Sequence, residues 1–273
     1  MAISYGGKRV IVSGGGGAGM GAAAVTQLVE LGAEVHVLDR KDPPVAVASH
    51  QATDLTDPEA MEAAVEEIGG QIDCLFNCVG VAGPPFVSAM VTMLVNFVGV
   101  RHLSELVTDR MPKGGAIATI TSTAGVGWQN ELDTWLPLLQ TDGFQEASDW
   151  CEGHIDEIGM AYGPSKKVAS AWTQYACNDL GKRGIRINCT MPGPTQTPMF
   201  PEFEEKVGAD FWSQYPIPLG RFATPEDQAN ALIFLNSDAA SCISGVSLIV
   251  DGGTVGAAQA GTISLPVPQP KVS

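Results

Sequence analysis

The stretch VSGGGGAGMG, residues 12–21, decides how this chain is read. It follows an apolar run at 9–12 and opens a helical pattern at 21–31. Glycine lets a backbone turn tightly and approach a pyrophosphate, and a helix N-terminus offers free N–H groups and a positive dipole end. Gly14, Gly15, Gly19, Met20 and Gly21 are therefore the candidate phosphate cradle, with either Gly14 or Gly15 in the first position. An acid, Asp39 in VHVLDR, ends the second apolar run eighteen positions after Gly21. A carboxylate there accepts hydrogen bonds from ribose hydroxyls and repels a 2′-phosphate, which points to NAD rather than NADP. The adjacent Arg40 pulls the other way, because a guanidinium pairs with phosphate.

Such a cradle has to be local. Fifteen Lys and Arg residues against thirty Asp and Glu give a net charge of −15, a field that repels nucleic acid and anionic lipid. With 273 residues, 45% of them hydrophobic and a mean hydropathy of +0.11, the chain suits one sizeable α/β domain. There is no charged N-terminal segment leading into an apolar run, and no uninterrupted apolar stretch of membrane-spanning length. The expected location is cytoplasmic. Cys74 and Cys78 share a strand face, but no second pair or histidine cluster accompanies them. The six cysteines read as free thiols, with no metal site.

Outward from the glycine loop, apolar runs alternate with amphipathic stretches. Strands are expected at 9–12, 34–38, 74–77, 115–120, 186–190 and 247–250, and helices at 21–31, 58–68, 87–110, 162–180 and 225–236. Pro58 and Pro225, each preceded by capping residues, mark helix starts. This rhythm implies a Rossmann-type, doubly wound parallel sheet spanning residues 1–253, with an irregular tail at 254–273. One segment breaks it: residues 129–159, acidic and aromatic, are too long for a plain connection and should carry helices of their own.

The second constellation is Tyr162-Gly-Pro-Ser-Lys166. Tyr and Lys four apart share a helix face, and Pro164 requires the helix to begin near Ala161. A nearby ammonium favours the phenolate and brings an ordinary pKa of about 10 toward the working range.

With both constellations in place, residues 8–253 resemble the short-chain dehydrogenase/reductase family. The resemblance is carried by the glycine loop, Asp54-Leu55, Asn77-Cys78-Val79-Gly80, Val95-Asn96, Thr121-Ser122, the Tyr162/Lys166 pair, Pro192-Gly193 with Thr195 and Thr197, and Val250-Asp251-Gly252-Gly253. It implies that Ser122 positions the reacting oxygen, Tyr162 passes the proton, Lys166 lowers the tyrosine pKa and holds the ribose, and Asn96 supports a water relay. It further implies that Asp54 meets the adenine and Thr197 the nicotinamide carboxamide or a nearby phosphate. The loop is one residue longer than the family pattern, Ser13 replaces a threonine, and Cys78 replaces an asparagine.

Forty residues separate Ser122 from Tyr162. That insertion resembles the bacterial branch with 3α-hydroxysteroid dehydrogenase/carbonyl reductase, coniferyl-alcohol-dehydrogenase-like members being the alternative. Trp128, Trp135, Met199 and Phe200 are candidate walls of an apolar substrate pocket; alternatively Trp135 only anchors the insertion. The expected activity is NAD(H)-dependent interconversion of a secondary alcohol and a ketone of hydroxysteroid, terpenoid or aromatic type. A non-catalytic NAD-binding protein is the alternative from another class. A homodimer or homotetramer is expected.

Overall fold

A computed structural model describes residues 3–266. Its sheet has seven parallel strands: β1 (Arg9–Ser13), β2 (Glu34–Leu38), β3 (Ser49–Gln51), β4 (Cys74–Asn77), β5 (Ala116–Ile120), β6 (Arg186–Pro192) and β7 (Ser247–Val250). They lie in the order β3-β2-β1-β4-β5-β6-β7. The order reverses between β1 and β4, and a crevice opens there beyond the strand carboxyl ends. The strands have apolar side chains on both faces because helices cover both sides. Val10 and Val12 point toward α1 (Met20–Glu30) and α11 (Pro225–Asn236), while Ile11 points to the opposite core. Each such buried aliphatic contributes ~1.5–3 kcal/mol relative to exposure.

On that opposite side lie α2 (Pro58–Ile68), α4 (Gly99–Thr108) and α8 (Tyr162–Lys182). The expected helix at 87–110 is one continuous rod in three parts: α3 (Ala89–Met93), a π-helical turn (Leu94–Val98) and α4. By length and composition Ala89–Thr108 could cross a membrane, but about two thirds of it is buried inside the protein, as a core helix must be.

The insertion folds as α5 (Leu132–Leu139), α6 (Gly143–Gly153) and the short α7 (Ile155–Ile158). It is packed down on the body: Leu138, Leu139, Ala147 and Cys151 are buried in the same core as α4 and α8. A buried arginine holds it there. Arg101 on α4 donates to Glu105 Oε1 at 2.7 Å, Leu138 O at 3.2 Å, Thr141 Oγ1 at 2.9 Å and the Thr141 carbonyl.

Two expectations need correction. The short β3 was not anticipated, because Ser-His-Gln has no apolar alternation; pairing with β2 creates it, helped by His36 Nδ1 against Ser49 Oγ at 2.8 Å. The tail is not irregular from 254, since α12 (Thr254–Gln259) forms there. Asp251 nucleates it, accepting from Gly253 N at 2.8 Å and Val255 N at 2.7 Å, while Thr254 Oγ1 donates to Pro216 O at 2.9 Å. Residues 267–273 of that tail lie outside the described residues.

Replacing Arg101 with Met removes the bonds that tie the insertion to α4. The variant should lose about 2 kcal/mol of stability in chemical denaturation. Amide exchange should quicken in α5 and α6 while β1 and β4 keep their protection; uniform protection would refute the anchoring role.

Candidate active site

Gly14, directly after β1, has φ +73°, and its N–H donates to Leu38 O at 2.9 Å. A Cβ there would lie 2.4 Å from Val79 N, and one on Gly21 would lie 2.1 Å from Gly14 O. The helix thus crosses the strand end backbone against backbone. Gly14 takes the first position; Gly15 is restricted instead by the side chains of Val25 and Val37. Gly16 donates its N–H to Asp39 Oδ2 at 2.8 Å, and Asp39 Oδ1 accepts from Lys41 N at 2.9 Å.

Gly19 is the N-cap of α1, which starts at Met20; no side chain caps it, and nothing lies within 4 Å of a Cβ built on Gly19. Free N–H groups at a helix end beside open space suit a pyrophosphate. At the end of β2, Arg40 pairs with Asp54 Oδ2 at 3.5 Å. The backbone N–H of Thr56, above all, holds the Asp54 carboxyl below the usual range, aided by the Thr56 hydroxyl and by Arg40.

Across the crevice, Ser122 follows β5. Its Oγ accepts from Ala124 N at 3.1 Å and shares a hydrogen bond with the Tyr162 phenol. Tyr162 is the first residue of α8, and its N–H donates to Met160 O at 2.6 Å. The intervening Ala161 is buried with φ +55° and ψ −31°, a strained γ-turn that few non-glycine residues adopt. One helical turn on, Lys166 is 4% exposed; its Nζ donates to Ile120 O at 3.3 Å and sits 5.9 Å from the Tyr162 ring centre. Burial disfavours charge, so the Lys166 pKa falls to about 8. Burial likewise pushes the Tyr162 phenol up, with the Ser122 hydrogen bond opposing it. Burial thus favours the neutral phenol, where the Tyr/Lys spacing points to the phenolate. The lysine faces its ring and does not bond to its hydroxyl.

Asn96 lies in the π-helical turn. Its Oδ1 accepts from Val81 N at 2.8 Å, and its Nδ2 donates to Val81 O at 3.0 Å and Ser165 Oγ at 3.1 Å. Ser165 Oγ in turn donates to Tyr162 O at 2.8 Å. A Cβ on Gly80 would lie 3.4 Å from both Asn96 Oδ1 and Lys166 Nζ, so the loop after β4 closes over both.

This arrangement has known counterparts. A short chain dehydrogenase family model matches residues 8–132, and a model described as enoyl-(acyl carrier protein) reductase matches 148–255. The chain is 31% identical to a 7alpha-hydroxysteroid dehydrogenase of Escherichia coli, covering 91% of this chain and 94% of that protein. It belongs to the short-chain dehydrogenase/reductase family. It is 28% identical to a coniferyl-alcohol dehydrogenase of a Pseudomonas species over 90% of this chain and 96% of the other. Among solved structures, a Pseudomonas 3-alpha-hydroxysteroid dehydrogenase complexed with NADH aligns with a TM-score of 0.77 at 26% identity, covering 94% of this chain and all of that one. The chain is thus an oxidoreductase of the alcohol/ketone type that uses a nicotinamide cofactor.

Several residues expected at the site also make contacts within the fold. Asn77 is fully buried, with Oδ1 accepting from Ser13 Oγ and Nδ2 donating to Ser104 Oγ and Thr119 Oγ1, so it braces four elements. Leu55 is a core side chain. Thr195 is buried and accepts from Gln228 Nε2. Pro192 ends β6, and a Cβ on the next residue, Gly193, would lie 2.6 Å from Asp251 Cβ, a close approach of two backbones. Thr197 O accepts from Phe200 N, starting α9 (Phe200–Val207) behind its N-cap Met199.

The four candidate wall residues fall in different surroundings. Trp135 is 4% exposed in the core, in keeping with the anchoring alternative. Trp128 borders a cavity of about 360 Å³ together with Gly245, Ser247 and Gln259, and none of the lining residues is Asn96, Ser122, Tyr162 or Lys166. Phe200 packs against Trp212 and Phe222. The residue that meets Tyr162 is Phe203, edge-on at 5.0 Å. Lys206, Phe86 and Gly16 were likewise missed. Only the helical i, i+3 spacing from Phe200 to Phe203 to Lys206 hinted at the first two of that run sharing a face with the third nearby.

Gly21→Ala should lower stability by about 1–3 kcal/mol, because backbone cannot move out of the way cheaply. Gly19→Ala should melt like the parent and yet bind a nicotinamide dinucleotide more weakly in calorimetry. Equal melting of the two variants would contradict the crossing described here.

Proposed function

We propose that the chain is an NAD(H)-dependent dehydrogenase interconverting a secondary alcohol and a ketone, with Tyr162 as the proton-transfer group. The observation that carries this reading is the meeting of Ser122, Tyr162 and Lys166 across the crevice from the uncapped start of α1. A bound nicotinamide supplies or accepts the hydride. Ser122 Oγ accepts from Ala124 N, and its O–H, which bonds the Tyr162 phenol, would turn to the substrate oxygen when substrate enters. Tyr162 gives its phenolic proton to that oxygen in reduction and takes it back in oxidation. Lys166, when charged, favours the phenolate that remains. Asn96 is a positioning residue, holding Ser165 and through it the first turn of α8.

Preference for NAD over NADP is supported by Asp39, whose carboxylate is oriented by two backbone N–H groups beside the glycine loop. Arg40, the one cation next to it in sequence, is paired with Asp54. A 2′-phosphate would add a second anion at Asp39. The substrate end is apolar and aromatic, with Phe203 against Tyr162 and the half-exposed Phe86 nearby. Rings of steroid, terpenoid or aromatic alcohols suit such walls, in line with the named activities of the relatives.

Tyr162→Phe should lower kcat by about a thousandfold or more while NADH binding, read by fluorescence, stays close to the parent. The parent should turn over secondary alcohols with NAD⁺ in preference to NADP⁺; the reverse preference would overturn the assignment of Asp39. A pH profile gives a further check. Burial favours the neutral amine of Lys166, so its charge is lost as pH rises through about 8. The kcat/KM of ketone reduction should therefore fall above about pH 8, and Lys166→Arg should extend the plateau, since a guanidinium stays charged.

A further inference from the structure

A second lysine faces the catalytic tyrosine. Lys206, on α9, places its Nζ 5.9 Å from the Tyr162 ring centre, 5.6 Å from that of Phe203 and 5.7 Å from that of Phe86. It donates to the carbonyl of Ala82, one residue beyond the Val81 that Asn96 holds. That acceptor is a neutral carbonyl, the Glu202 carboxylate one helical turn earlier is near enough to favour the charged form, and an ammonium has three N–H donors. Lys206 is also half-buried, walled by three aromatic rings, at the end of the crevice where no cofactor phosphate is expected. In a chain of net charge −15, an anionic small molecule is repelled at long range and needs a positive group placed locally, as the start of α1 is placed for the dinucleotide at the other end of the crevice.

Resting on the dehydrogenase reading above, we infer that Lys206 selects substrates bearing a carboxylate, pairing with it while the alcohol or ketone reacts at Ser122 and Tyr162. A ring lying against Phe203 would connect the two ends. Beside three rings and partly buried, a charge-assisted hydrogen bond is stronger than at an open surface. The alternative role for the same contacts is purely structural: Lys206 ties α9 to the loop after β4 and discriminates nothing.

The test compares para-(hydroxyethyl)benzoate with its methyl ester, which keeps ring and alcohol but removes the charge. The parent should prefer the acid by about tenfold in kcat/KM. Lys206→Met should bring that ratio near one, and Lys206→Arg should restore it. A structural role would lower acid and ester alike and leave the ratio intact, which would overturn the inference, as would a parent that prefers the ester. Calorimetric binding of para-acetylbenzoate to the enzyme with NADH provides a reading independent of turnover. Binding that Lys206→Met weakens about tenfold supports the inference even if no alcohol is oxidised, a result that would count instead against the dehydrogenase reading. Absence of binding to the parent overturns the inference.

Discussion

The carboxamide of Asn96 joins the two halves of the site. Both of its ends are satisfied by protein groups: Val81 N and O on the loop after β4, and Ser165 Oγ at the start of α8. An amide buried in this way is costly to leave unpaired, by about 1–3 kcal/mol per lost partner. The loop after β4 and the tyrosine-bearing helix are therefore held at one spacing. Asn96 occurs where the helix widens to a π turn, a local departure from regular winding that often marks functional positions. The loop after β4 and the tyrosine–lysine pair take their relative places from this clamp.

Much of this was legible in the residues, and the reasons are physical. The βα rhythm is a periodicity of apolar side chains, so strands and helices could be placed within a residue or two; Pro58–Ile68 and Pro225–Asn236 match the expected bounds because proline and capping residues punctuate them. Tyr162 and Lys166 share a face because helical geometry alone requires it. What pattern could not reveal was which polar group is satisfied by its own protein. Asn77 and Thr195 carry the right side chains in the expected places, yet neighbours distant in sequence occupy them. Trp135 is equally ambiguous in sequence, since an aromatic ring can line a pocket or fill a core. Phe203 and Lys206 were passed over because their meeting with Tyr162 depends on how α9 folds back over the crevice.

Electrostatically, the site is a positive exception in a negative molecule. Lys166 and Lys206 lie equally far from the centre of one phenol ring, at 5.9 Å. They differ in burial and partners: Lys166 is enclosed by the sheet end, whereas Lys206 rides on a helix of the outer rim. Burial lowers the pKa of both, and Glu202 partly offsets this for Lys206. The two ammonium groups bracket the reacting position from different sides of the fold.

The γ-turn at Ala161 bears on how such a protein can change over evolution. Because the chain enters α8 through one sharply defined kink, the orientation of Tyr162 is set by the two residues before it and by Ser165 after it. The preceding thirty or so residues share a core with α4 and α8, yet along the chain they reach Tyr162 only through this kink. Changes in their helices that keep the shared core would leave the first turn of α8 in register. A strained alanine thus works as a joint between the tyrosine-bearing helix and the segment that precedes it.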